Sequence, residues 1–404
     1  MEVDDVSTVL ATIRQDTDDA QIAEICYQLE DFYERRLWNQ LTLALQDFYN
    51  LPQAKVDNLA GKIFSLFVQK CQKKLNYLRV IDFLLLSFPD AHECLAKLQQ
   101  LQGDIVADLR QQLSSRRLED LDSHINKDEA VVYIRLQIAR HALLLSELPN
   151  AEEILDSVSG KFETTLQNDY SSKINAAFYL TKCQYYKHYA NYNLFYTNGL
   201  LFLSSIEGPM DPEKRVQFCY DLCVAALLGE KIYNFGELIL HDILTAISAP
   251  DGPYFWLYNL IQHLNSGNLP QFRQWLDLSV QVKSPQVWHH RDFLNQKIVI
   301  MSLLELILSS LTPDKTLLFQ EISTAMGVPL NDVEIYIIKC FSLGLIKGHI
   351  NQLQQVLVVT WMQPRVLNLD QVKSLHNRLV DWTSKVDALA KEVYSSGGNV
   401  WAMA

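Results

Sequence analysis

The sequence predicts an all-α chain. Antiparallel helical hairpins stack in series, a small mixed unit follows, and one long amphipathic helix closes the C-terminus. Three observations carry this reading. Apolar residues recur at spacings of three and four almost continuously between residues 18 and 310. Glycine and proline number only 14 and 12 in 404 residues, so little interrupts those helices. Strand-like runs rich in Val, Ile and Leu appear only between Thr316 and Trp361.

Taken in order, residues 1–19 open with Met1-Glu2-Val3-Asp4-Asp5, acidic and without an apolar leader, and are expected to be flexible. Ile22, Ile25, Leu29 and Phe32 mark the first helix of a repeat domain over 20–208. Leu37, Leu41, Leu45 and Phe48 mark the second. Ile63, Phe64, Phe67 and Cys71 follow, then Leu78, Ile81, Leu85 and Phe88. Pro52-Gln53, Pro89-Asp90 and Gly103-Asp104 read as polar joints. Two hairpins, 131–155 and 176–206, have the helix–turn–helix plan of tetratricopeptide units without a clean period. The expected architecture is therefore a TPR-like right-handed helical solenoid. Gly208-Pro209-Met210-Asp211-Pro212 is the clearest boundary. Helices over 216–228, 235–247, 255–264, 269–278 and 286–308 fill 209–310.

The mixed unit spans 311–364. Thr316, Leu317 and Leu318 form an entering strand, and Phe319, Ile322 and Met326 give a short helix one apolar face. Gly327-Val328-Pro329 stops it. Asn331, with Glu334 three residues on, is expected to cap a second helix over 331–343, and Gly344 to end it. Strands over 345–350 and 356–361 joined by 351–355 complete a winged helix. Its second helix carries Asp332, Glu334 and Lys339, where a reader of nucleic acid would place cations. The aromatic cluster between Phe178 and Phe202 lacks interleaved Arg and Lys, so helix-packing wedges are favoured there over a base-stacking platform.

Pro364 breaks the chain, and the segment 365–394 is expected to be one helix. Val372, Leu375, Leu379, Trp382, Val386, Leu389 and Val393 alternate at spacings of three and four, a coiled-coil-like seam. That seam either packs back on its own chain or meets helices of other subunits. The tail 395–404 contains Ser-Ser-Gly-Gly-Asn and is expected to fray.

A net charge of −12 argues against general nucleic-acid or anionic-membrane partners. The longest apolar stretch, 298–308, is too short to span a bilayer. Seven scattered cysteines among apolar neighbours point to reduced, buried thiols of an intracellular protein. Cys219 and Cys223 share a helix face but lack further ligands for zinc. His92-Glu93 is followed by Ala96 rather than a zincin histidine, and Gly61-Lys62 and Gly160-Lys161 lack the rest of a phosphate loop. His289 and His290 are adjacent at a helix start and point apart. No catalytic, cofactor-binding or metal residue is assigned, and the chain is expected not to be an enzyme.

A helical solenoid running into a winged helix and a long terminal helix resembles the PCI-domain family, which scaffolds the proteasome lid, the COP9 signalosome and a translation initiation factor. The resemblance covers essentially the whole chain. Residues 226–238 (ALLGEKIYNFGEL), 264–269 (LNSGNL) and 361–369 (WMQPRVLNL) look like a non-ATPase subunit of the lid of the 26S proteasome regulatory particle. The resemblance implies a non-catalytic scaffold found in cytoplasm and nucleus, supporting lid assembly and degradation of ubiquitinated proteins. It implies winged-helix contacts with other PCI subunits through Leu345, Ile346, Ile350, Val356, Val358 and Thr360. It also implies a helical bundle formed through the Val372–Val393 seam, with the ubiquitin-receptor subunit and the deubiquitinase dimer nearby. A PCI–winged-helix module that binds nucleic acid, in an mRNA-export, COP9 or translation-initiation type of complex, is the alternative.

Overall fold

In the computed structural model, the described residues are all except 1–7, 15–19, 52–53, 55–57, 115–120, 164–169, 209, 251, 278–284, 310–315, 367–368 and 396–404. They fall into two units, Met1–Gly208 and Pro209–Ala404.

The first unit is a helical solenoid. Its helices are α1 (residues 8–14), α2 (Ala20–Glu34), α3 (Trp38–Asn50), α4 (Leu59–Ile63), α5 (Gln69–Cys71), α6 (Tyr77–Ser87), α7 (Ala91–Ser114), α8 (Leu121–Lys127), α9 (Glu129–Leu144), α10 (Leu148–Glu163), α11 (Ser172–His188) and α12 (Tyr192–Ser205). A π-helical turn, Phe64–Val68, joins α4 to α5. Side chains start several of these helices by accepting an orphan backbone N–H: Asn76 from Leu78, Asp128 from Ala130, and Asn191 from Leu194.

Three hairpins turn in the same way. After α2, α9 and α11 a non-glycine residue adopts left-handed φ: Arg36 (56°), Ser146 (63°) and Ala190 (51°). Each is bracketed by the paired bonds of a Schellman turn. Leu37 N donates to Phe32 O at 2.9 Å, Glu147 N to Ala142 O at 2.9 Å, and Asn191 N to Tyr186 O at 3.0 Å. Left-handed backbone costs a side-chain-bearing residue about 1 kcal/mol, which the capped carbonyls and the helix packing offset.

Several expectations need correction here. The N-terminal segment is not uniformly loose: α1 buries Leu10 and Ile13 in the core, and Arg14 pairs with Glu30. Its remaining residues, 1–7 and 15–19, lie outside the described residues, as do Pro52-Gln53 and all of the tail but Ser395, which ends the last helix. Gly103-Asp104 is not a joint but the interior of the 24-residue α7. The phenylalanines of the aromatic cluster pack inward, with Phe178 buried and stacked on Phe162 at 4.1 Å, while Tyr189 is exposed.

The second unit begins with α13 (Pro212–Leu228), whose proline occupies the first turn, where its missing N–H costs nothing. The single helix expected over 235–247 is broken. α14 (Gly236–Leu240) ends at His241, which is extended, and its Nδ1 accepts from Ile243 N to start a 3₁₀ segment, Asp242–Ile247. α15 (Phe255–Asn265), α16 (Leu269–Trp275), α17 (Pro285–His289) and α18 (Arg291–Ser309) follow. His289 ends α17 and His290 follows it before α18, and both are exposed.

The winged helix has β1 (Thr316–Leu318), α19 (Phe319–Met326), α20 (Leu330–Ser342), β2 (Ile346–Asn351) and β3 (Val356–Met362). The sheet is antiparallel in the order β1-β3-β2. The expected cap is displaced: α20 starts one residue earlier, after Pro329, and no side chain caps it. Asn331 therefore lies inside the helix, and Glu334 instead accepts from Gln352 in the wing. Val333, Ile337 and Cys340 hold α20 to the core.

Candidate assembly surface

Helix α21 (Leu369–Ser395) is 27 residues, about 40 Å at 1.5 Å per residue. Its seam is bare. Val372, Leu375, Leu379, Trp382, Val386, Leu389 and Val393 are all exposed, with Trp382 at 65% and Leu389 at 62%. The seam does not pack back on the described residues of its own chain. Fully burying a side chain of this size contributes roughly 1.5–3 kcal/mol. Seven of them hold a gross driving force on the order of 10 kcal/mol in reserve. A helix of this kind draws little stability from propensity alone, because isolated helices are marginal in water.

The sheet offers less. β3 is the central strand and is paired on both sides, so Val356 and Val358 lie where the backbone is already bonded and Thr360 donates its hydroxyl to Lys347 O at 3.0 Å. The free edges belong to β1, three residues long, and to β2. Leu345 and Ile346 turn their side chains into the core, and Ile350 is half-buried. A bulge between Lys347 and Gly348 distorts the β2 edge. A side chain at Gly348 would overlap the Val358 carbonyl, so only glycine fits this close approach. The bulge and Lys347 are devices that limit indiscriminate strand pairing. The face of α20 that would read bases displays Ile335 (64% exposed) and Ile338 (53%) rather than cations.

A clamp sets where α21 leaves the unit. Gln363 N donates to Leu345 O at 2.8 Å. Arg365, with a side chain only 8% exposed, donates to Asn265 O at 3.2 Å and meets Glu305 at 3.4 Å. Burial pulls the Arg365 pKa down and Glu305 opposes that. Val366 packs against Gly236 so closely that a Cβ there would overlap it. A cavity of about 10 Å³, room for one water, lies between Tyr233, Asn234, Leu304, Met362 and Arg365.

Beneath the clamp, Lys297 of α18 is fully buried. Its Nζ donates to the carbonyls of Ala226 (2.7 Å), Leu227 (3.0 Å) and Gly229 (2.7 Å), the orphan acceptors at the end of α13. The rings of Tyr233, Phe235 and Phe293 surround it at 5.3–5.7 Å. Desolvation pulls its pKa well below the ordinary lysine range. The carbonyls and ring faces favour the ammonium and work against that pull. The three stretches 226–238, 264–269 and 361–369 thus converge on one set of contacts. Sequence reasoning found the stretches but missed Lys297, because a lysine on an apolar helix gives no periodic signal.

Residues 25–261 match the family described as PSD13 N-terminal repeats, and residues 271–361 match the PCI domain. The chain belongs to the PSD13 family. It is similar over 98% of its length, at 34% identity, to the 26S proteasome regulatory subunit RPN9 of Saccharomyces cerevisiae, 98% of which is covered. A probable 26S proteasome regulatory subunit rpn9 of Schizosaccharomyces pombe is 33% identical over 92% of each chain. The 26S proteasome non-ATPase regulatory subunit 13 homolog B of Arabidopsis thaliana is 31% identical over 91% of this chain and 92% of its own. Membership of this PCI-containing family fits the helical solenoid and winged helix found here. No helix among the described residues is long and apolar enough to cross a membrane.

Proposed function

We propose that this chain is a non-catalytic scaffold subunit of the 26S proteasome lid. It would act by protein contacts that support lid assembly and the ATP-dependent degradation of ubiquitinated proteins in cytoplasm and nucleus. The observation that carries this reading is the α21 seam, seven apolar side chains presented to solvent by a helix anchored at its base through Arg365. A seam of this spacing fits the helices of neighbouring subunits in a common bundle. The free edges of β1 and β2 supply the second contact, to winged helices of other PCI subunits, and the solenoid stands near the ubiquitin receptor and the deubiquitinase. Side chains at Ile346, Ile350 and Thr360 would shape the β2 side of that contact rather than fill it. The nucleic-acid alternative is disfavoured by the isoleucine-bearing, slightly acidic face of α20.

The test is affinity purification of the tagged chain from cell extract, intact and truncated after Asn368, with masses and peptidase activity of the recovered set measured. The intact chain is expected to recover a proteasome and the truncated chain to lose it. Recovery of RNA with export factors by the intact chain would overturn the reading.

A further inference from the structure

The order of residues along the α21 seam selects a partner. Written as heptads, Val372, Leu379, Val386 and Val393 occupy the a positions, and Leu375, Trp382 and Leu389 the d positions. Arg378, Lys385 and Glu392 occupy the g positions that flank a two-stranded contact. All three are exposed, and among the described residues neither Arg378 nor Glu392 pairs with an opposite charge of its own chain. Val380 (48% exposed) and Tyr394 (71%) add apolar surface at b positions, on the side that a two-stranded coil leaves open.

Two copies of this helix could meet in parallel or antiparallel. In parallel, each seam residue faces its own copy, so two Trp382 side chains crowd the middle layer. The flanks then add nothing, since Arg378 faces Thr383 and Lys385 faces Ala390. Antiparallel pairing sets a against d instead. With the two-fold axis near Ser384, Trp382 faces Val386, Leu379 faces Leu389, and Leu375 faces Val393, each pairing occurring twice. The largest side chain thus meets a small one. In the same register Arg378 faces Glu392 twice, while Lys385 faces its own copy once. Sliding by one heptad sets Arg378 against Lys385 and Trp382 against Leu379, so charge and volume both oppose that register. The antiparallel pair also carries the two clamped helix bases to opposite ends of the coil.

We propose that in the free chain α21 pairs antiparallel with α21 of a second copy, in the register that sets Arg378 against Glu392. This rests on the reading of the seam as an assembly surface, and names the chain itself as the occupant before assembly. The overlap, 375–393, is about 27 Å long at 1.5 Å per residue. Pairing over so short a length is weak, with a dissociation constant on the order of 10 μM. Neighbouring subunits that cover Val380 and Tyr394 as well as the seam bury more of the helix than a second copy does. The self-pair therefore yields to the larger bundle, and until then it keeps the seam from indiscriminate contacts.

The test is sedimentation equilibrium of the purified full chain from about 1 to about 100 μM, a span that brackets the expected affinity. The wild type is expected to pass from monomer to dimer, and Leu379→Asp with Trp382→Asp to stay monomeric. Arg378→Glu or Glu392→Arg alone is expected to weaken the dimer about tenfold, since each turns two attractive pairs into two repulsive ones. The two together are expected to restore it to within about twofold, because the charges have only exchanged sides. These positions are exposed, so the variants keep the fold. Val380→Lys, outside the two-stranded contact, is expected to leave the dimer unchanged. A monomer at every concentration, a trimer or larger species, single reversals without effect, reversals not rescued by the double exchange, or a dimer lost in Val380→Lys would overturn the proposal. Self-pairing is read on the purified chain and proteasome recovery in extract, so either reading can fail while the other stands.

Discussion

Helices α18 and α21 are both long, amphipathic and regular, yet they have opposite fates. α18 buries ten of its nineteen residues, including Lys297. α21 leaves every residue of its seam exposed. Their apolar periodicity is of one kind, so periodicity reports that a face needs covering and is silent on who covers it. What separates them is the chain around them. α18 has partners on the same chain, packing on α15, α16 and α19 and receiving the end of α13 through Lys297. α21 follows a proline and a clamp that fixes only its base.

The contrast breaks most visibly if each helix is given a matched insult. Lys297→Met leaves three buried carbonyls without a donor, and breaking such a buried polar arrangement costs about 3–5 kcal/mol. Urea unfolding of the isolated chain should show that loss, and assembly should fail with it. Leu379→Asp with Trp382→Asp should do the reverse. Exposed positions change stability by less than about 0.5 kcal/mol, so the isolated chain should unfold normally. Incorporation into a proteasome should still be abolished, because a carboxylate buried in an apolar seam costs several kcal/mol. If the double aspartate variant assembles normally, α21 is not the bundle contact. If Lys297→Met is as stable as wild type, the cage around the ammonium contributes nothing net.

Hydrogen exchange sharpens the same comparison without mutation. Amides of α18 should exchange only through global or large-scale opening. Amides of α21 should exchange orders of magnitude faster in the free chain and slow down on assembly. Equal protection of the two helices in the free chain would mean that α21 is stabilised within its own subunit.

Much of this was legible in residue order. The winged helix followed from a short strand, two helices ended by Gly327 and Gly344, and a hairpin. The α21 seam followed from seven apolar residues at alternating spacings of three and four. The hairpin turns were harder to read, because Arg36, Ser146 and Ala190 take left-handed backbone where glycine is the usual signal. Tertiary packing over-determines those turns, and local propensity does not record that. Gly103 misled in the opposite sense, since a glycine inside a long, well-packed helix costs only about 1 kcal/mol. Lys297 and Arg365 could not be read at all. Their acceptors lie 68–71 and 60–100 residues away in sequence, and polar pairing at that range has no period.

The smallest expected effect concerns the thiols, which report on the packed core and are absent from α21. All seven cysteines are buried and free. Burial pushes Cys26, Cys71 and Cys94 up to about 11, and Cys183 and Cys340 up to about 12, from an ordinary value of 9.0. A thiol whose folded pKa is raised contributes stability that is fully present below about 9. That contribution is lost as pH climbs through 11–12, because the unfolded chain ionises first. Between pH 9 and 11 each such thiol should therefore lower the unfolding free energy by up to about 1.4 kcal/mol per pH unit. Cys183→Ala with Cys340→Ala should flatten that slope relative to wild type, whatever the variant's stability at pH 8. An unchanged slope, or ready alkylation of the native chain by iodoacetamide at pH 8.5, would show that these thiols are more open to water than the packing around them implies.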